Sequence, residues 1–153
     1  MPRRPPEAPL PQLSLSIQFP GGKTDAPTRP KIRRWVRAVC DRPAEITVRL
    51  VDAEEGQRLN RDFRGKDYPT NVLSFGYSIE PLLAGDIVLC LPVVLREAAE
   101  QRKSPEAHFA HLVVHGMLHL KGFDHETSPR EAARMEARER DILRSLGFSD
   151  PYL

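Results

Sequence analysis

The chain has 153 residues, a formal net charge of +2, 40% hydrophobic and 29% charged residues. That is the length of one ordinary domain with a near-average soluble composition. Apolar runs such as Leu112-Val113-Val114 fall far short of the ~20 residues a membrane span needs, so a transmembrane protein is excluded, as is a disordered chain. Two cysteines, Cys40 and Cys90, are too few for a disulfide framework and read as half-buried thiols of a protein in a reducing cytoplasm. The first residues carry charges, but no apolar segment of the secretory kind follows them.

In chain order, residues 1–11 are expected to be a Pro-rich, flexible leader, and residues 12–153 a single domain. More than half of the 15 prolines fall before Lys31, and proline can neither pair nor coil regularly. Leu13, Leu15, Ile17 and Phe19 alternate with polar residues, which predicts a half-buried strand. Ile32, Trp35, Val36, Val39 and Cys40 recur at helical spacing, opposite a face carrying Lys31, Arg33, Arg34 and Arg37. Ile46, Val48 and Leu50 alternate again, and a helix is expected over 53–63. A loop follows from Arg64 to Asn71, then strands over 72–77 and 86–91, and a helix begun by Pro92. Ser104 and Pro105 open a helix that Gly122 ends near Lys121. Ser128-Pro129-Arg130-Glu131 is a capping box for a last helix running to about Leu146. Its Arg and Glu residues read as a solvated face. The sum is an α+β domain with four strands and about five helices.

The chemistry concentrates in His115-Gly116-Met117-Leu118-His119-Leu120-Lys121-Gly122-Phe123-Asp124-His125. His115 and His119 are four residues apart on a helix, so their rings point the same way. Gly122 can turn the chain sharply and bring His125 back toward them. Three imidazoles converging on one point suit one zinc ion with an open fourth position, the mark of a catalytic site. Nickel and copper suit such ligands as well. His108 and His111 share the helix face and read as supporting, substrate-side or solvated groups. The spacing is that of the metzincin metalloproteases. Those carry Glu after the first His as general base, and here that position is Gly116.

The same motif resembles the signature of the YbeY family of bacterial metal-dependent endoribonucleases. So do Arg64-Gly65-Lys66-Asp67 with Pro69-Thr70-Asn71-Val72-Leu73-Ser74-Phe75, Gly85-Asp86-Ile87, Leu59-Asn60, Leu146-Gly147-Phe148 and Asp150-Pro151-Tyr152. The resemblance runs from about Ile46 to Tyr152. Phe123 stands where Tyr is usual and Gly76 where Pro is common. It implies a central four-stranded mixed sheet flanked by helices, with a zincin-like histidine helix, and zinc on His115, His119 and His125. It also implies catalytic roles for His115 and Arg64. The implied role is cleavage of single-stranded RNA in 16S rRNA 3′-end maturation and ribosome quality control, in the cytoplasm. Partners would be rRNA precursors, ribosomal subunits, and a ribosomal protein or ribosome-associated GTPase, with neither membrane nor DNA.

A guanidinium suits a phosphate bidentately, although an ion pair of Arg64 with Asp62 or Asp67 is the plainer alternative. Lys66, Asn71 and Ser74 are candidate substrate-binding groups. Asp124, His111 and Asp86 are candidates for supporting the ligands, and Asp124 could equally cap the next segment. Two other functions compete: a zincin-like hydrolase of peptides or small molecules, which Gly116 opposes, and a non-catalytic, ribosome-associated zinc module.

Overall fold

A computed structural model describes residues 10–124 and 126–152. Most of the leader, residues 1–9, and His125 lie outside the described residues. Four strands, β1 (Leu13–Gln18), β2 (Ala44–Val51), β3 (Val72–Ser78) and β4 (Leu83–Cys90), form one sheet in the order β1-β2-β4-β3. β1 and β4 both run parallel to β2, while β3 is antiparallel to β4. Five helices complete the domain: α1 (Arg29–Val39), α2 (Ala53–Arg64), α3 (Leu91–Glu100), α4 (Pro105–Leu120) and α5 (Pro129–Ser145). The α+β class and the mixed four-stranded sheet are as the sequence leads one to expect.

Local chemistry sets the boundaries. Asp52, Ser104 and Ser128 each accept a hydrogen bond from the backbone N–H three residues on, at 2.9, 3.1 and 3.1 Å. A cap of this kind contributes about 1 kcal/mol. β4 begins at Leu83, three residues ahead of the expected 86, and two helix boundaries fall one residue from expectation. Arg64 is the last residue of α2, because the chain turns left-handed only at Gly65. Leu91 opens α3 rather than closing a strand, with Pro92 in its first turn.

Strand alternation divides the core between the two faces of the sheet. Ile46, Val48 and Leu50 of β2 and Ile87 and Leu89 of β4 pack with Ile32, Trp35 and Val36 of α1 and Val113, Val114 and Met117 of α4. Each such side chain, removed from water, contributes about 1.5–3 kcal/mol. The other face carries a smaller cluster, Val51, Leu73, Val88, Cys90 and Val93, with Leu59 of α2 against it. α4 lies so close to the sheet that a Cβ on Gly116 would meet Ile87 Cγ2 and Ser74 Oγ at 3.2 Å.

One expectation is corrected here. α5 does not have a wholly solvated polar face, since Glu139 is 0% exposed. It sits among Met135, Ile142 and Leu143, all buried on the same side of the helix.

Candidate metal centre and substrate cleft

α4 is buried along most of its length. The side that faces the cleft carries His108, His111, His115 and His119, spaced three, four and four residues apart, as a 3.6-residue period requires, with His108 buried and the other three partly exposed. All four line one cleft of about 690 Å³. The rings of His115 and His119 are 4.7 Å apart between centroids. Beyond α4, Gly122 takes φ +98°, and Phe123 N–H returns to the Leu118 carbonyl at 3.0 Å. A residue with a Cβ is strained in that conformation. The position expected of the third imidazole, His125, is outside the described residues.

Behind the histidines stands Glu139. Its Oε1 lies 2.5 Å from His115 Nδ1 and its Oε2 lies 2.9 Å from His111 Nε2. Tyr152 donates its hydroxyl to Oε2 as well. Burial pushes the Glu139 carboxyl up, but the hydrogen bonds from His111, His115 and Tyr152 outweigh it and hold it at about 2. The same contact and burial push the Tyr152 phenol well above its usual value. An ionised carboxylate only accepts, so each partner donates. His115 therefore carries a proton on Nδ1, an arrangement that in the neutral imidazole puts the lone pair on Nε2. His111 carries its proton on Nε2, and its Nδ1 is buried with no partner among the described residues.

The donor atoms of His111, His115 and Glu139 lie within 4.8 Å of one another, close enough to enclose an ion. Ligands at ~2.1 Å from a tetrahedral metal stand roughly 3.4 Å apart, whereas these N–O separations of 2.5 and 2.9 Å are those of hydrogen bonds. The arrangement fits a metal on the other side of His115. A ligating imidazole characteristically gives its second nitrogen to a carboxylate, and here that carboxylate is in place.

His108 pairs with a different acid. Its Nε2 lies 2.9 Å from Glu97 Oε1, and the Asn71 amide donates to the same oxygen at 3.0 Å. Asn71 Oδ1 also accepts from Val72 N–H at 2.6 Å. Asn71 thus lines the cleft with its side chain already tied to α3 and to the start of β3. Burial lowers the basicity of His108, while Glu97 pulls it the other way.

Arg64, Lys66 and Ser74 line the cleft with the histidines. Asp62 and Asp67 are paired with Arg61, at 3.3 and 4.0 Å, rather than with Arg64. Asp124 also lines the cleft, and its Oδ1 accepts from Glu126 N–H at 2.8 Å, closing the turn after α4. Asp86 is elsewhere. It alternates with Ile87, which faces α4, so it points to the opposite side of the sheet, where Tyr77 donates to it at 2.6 Å. Sequence reasoning missed Glu139 and Glu97 as partners of the histidines. The one available signal was Glu139 falling on the apolar stripe of Met135, Ile142 and Leu143.

A family model described as Endoribonuclease YbeY matches residues 23–147. Curated proteins named Endoribonuclease YbeY are similar over nearly the whole chain. That of Delftia acidovorans is 56% identical over 149 residues, 94% of this chain and 97% of the relative. That of Polaromonas sp. is 55% identical over 152 residues, covering 96% and 99%. That of Aromatoleum aromaticum is 58% identical over 144 residues, covering 92% and 93%. Among solved structures, the solution structure of TM1509 from Thermotoga maritima aligns with a TM-score of 0.56 at 28% identity, covering 90% of this chain and 97% of that one.

Proposed function

We propose, from the premise that the chain belongs to the YbeY endoribonuclease family, that it is a zinc-dependent endoribonuclease specific for single-stranded RNA. Its place is 16S rRNA 3′-end maturation and ribosome quality control in the cytoplasm. Its partners are rRNA precursors, ribosomal subunits and a ribosomal protein or GTPase. His115, His119 and His125 hold the ion. The observation that carries the reading is that His115 and His119 share one cleft with Arg64 and Lys66. Among the described residues no helix is long and apolar enough to cross a membrane.

When bound, zinc supplies Lewis acidity to a phosphoryl oxygen. The rest is the work of this chain's own groups. Arg64 presents a planar fork of N–H donors that holds a phosphate by two oxygens. Lys66 adds a second positive charge along the same wall. Charge that grows on the phosphate in the transition state meets cations already in place. A peptidase reading is disfavoured by packing as well as by sequence: a Cβ at position 116 would meet Ile87 Cγ2 and Ser74 Oγ at 3.2 Å, so a glutamate there would crowd the sheet.

The test is Arg64→Ala, assayed on single-stranded RNA beside the wild type. The expected result is a rate lower by a factor on the order of 10²–10³, with metal content and melting temperature near wild type. Arg64→Lys should recover part of the loss. Cleavage at the wild-type rate removes the assigned role, and chelator-sensitive peptide cleavage by the wild type favours the other hydrolase class.

A further inference from the structure

Resting on that reading, we propose that Glu139 and Tyr152 are a positioning pair that presents His115 to the metal ion in one tautomer and one ring orientation. Met135, Ile142 and Leu143 flank Glu139 on the buried side of α5. An apolar residue at 139 would complete that stripe and avoid the several kcal/mol that taking a carboxylate out of water costs. The chain instead places there a carboxylate that is 0% exposed. Its two oxygens divide the donors unequally. Oε2 takes His111 and Tyr152, and Oε1 takes His115. With Oε2 held from two sides, turning the carboxylate plane would break both of those hydrogen bonds. The direction from which Oε1 meets His115 Nδ1 is therefore set.

Tyr152 reaches this point from the chain's C-terminal segment, and separate contacts hold that segment down. Tyr152 N–H donates to Asp150 Oδ1 at 2.8 Å. Asp150 pairs with Arg140 of α5 at 3.0 Å, and the Arg140 guanidinium lies 5.1 Å from the centre of the Tyr152 ring. Lys103 donates to the Pro151 carbonyl at 2.9 Å. The tail thus forms one wall of the cleft, and its phenol locks the carboxylate behind the ligand. A locked carboxylate raises the affinity of the imidazole for a metal by fixing the tautomer and the ring.

The experiment is competition for zinc alone, against a chromophoric chelator near neutral pH, using full-length protein. The variants are Glu139→Gln, Tyr152→Phe, His115→Ala and His119→Ala. Visible spectra of the cobalt-substituted proteins are recorded beside them. Zinc affinity should fall by roughly 10–100-fold in Glu139→Gln and by up to about tenfold in Tyr152→Phe, with the cobalt bands displaced in both. Tyr152→Phe keeps the ring and removes one hydroxyl from a partly exposed tail, so its result stands even where Glu139→Gln folds poorly. Wild-type zinc affinity and an unchanged cobalt spectrum in Tyr152→Phe overturn the pair. Loss of all binding in a folded Glu139→Gln, with His119→Ala unaffected, makes Glu139 a ligand and overturns its positioning role. Wild-type affinity in both His115→Ala and His119→Ala identifies the underlying metal assignment as what failed.

Discussion

Two carboxylates meet the histidine stripe of α4 from different helices, Glu97 from α3 at His108 and Glu139 from α5 at His111 and His115. They look alike in sequence and differ in surroundings. The Glu97 side chain is 25% exposed, and one of its oxygens receives both an imidazole and the Asn71 amide. The Glu139 side chain is 1% exposed, and its two oxygens receive two imidazoles and a phenol. Solvent can replace a lost partner at Glu97. At Glu139 the carboxylate itself is shut off from water, and protein donors fill its oxygens. Burial and donor count, rather than the His–Glu contact itself, separate a pair that fastens a loop from one that holds imidazoles of the cleft in place.

The largest expected effect is at the buried end. Glu139→Ala removes the shared acceptor of three donors and should cost about 3–5 kcal/mol, since a buried donor left unsatisfied costs about 1–3 kcal/mol. At ~2–4 °C per kcal/mol for a chain of this size, the melting temperature of the metal-free protein should drop by about 10 °C. A drop no larger than that of an ordinary surface substitution would erase the distinction between the two acids. Glu97→Ala should be milder, about 1–3 kcal/mol, because the His108 and Asn71 donors lose one partly hydrated acceptor. Urea denaturation of both variants puts them on one scale.

The smallest effect is on pH dependence, and it separates the two ends. His108 has its pKa lowered in the folded state by burial, against the pull of Glu97, with Lys103 and His111 also disfavouring its charge. The unfolded chain therefore takes up a proton before the native one does. The stability this provides is complete above the ordinary histidine value of 6.5 and is lost as pH falls through the lower native value. The Glu139 contribution is complete above its ordinary value of 4.5 and fades as pH falls toward about 2. Denaturation midpoints measured in small pH steps should therefore show two separate declines. His108→Phe should flatten the one nearer neutrality and leave the acid one. A single decline below pH 4.5 in the wild type would contradict the assignment for His108.

Much of the fold was legible because its signals are local. The strand over 13–18 came from two-residue alternation. α1 came from the spacing of Ile32, Trp35, Val36 and Val39, all of which are buried. Ser104, Ser128 and Gly122 marked helix ends because caps and left-handed turns need those residue types. The grouping of His115 with His119 followed from helical pitch alone. Arg64 was expected in a loop and instead ends α2, and its freedom from Asp62 and Asp67 was not legible, since Arg61 is one turn earlier and chemically equivalent for that purpose.

Sequence by itself thus determined the elements, the histidine face of α4 and the absence of a carboxylate at Gly116, since each depends on residues within one or two turns of each other. Only the tertiary structure decided which acids serve the histidines. Glu131, Glu136 and Glu139 of α5 are chemically the same, and the packing of α5 on α4 buries only the last of them. His115 and Glu139 are 24 residues apart, and Tyr152 comes from 13 residues further on. No periodicity links positions so distant. Their meeting is fixed by which apolar stripes fit together, and the charge on Glu139 is tolerated there because three donors arrive with that fit.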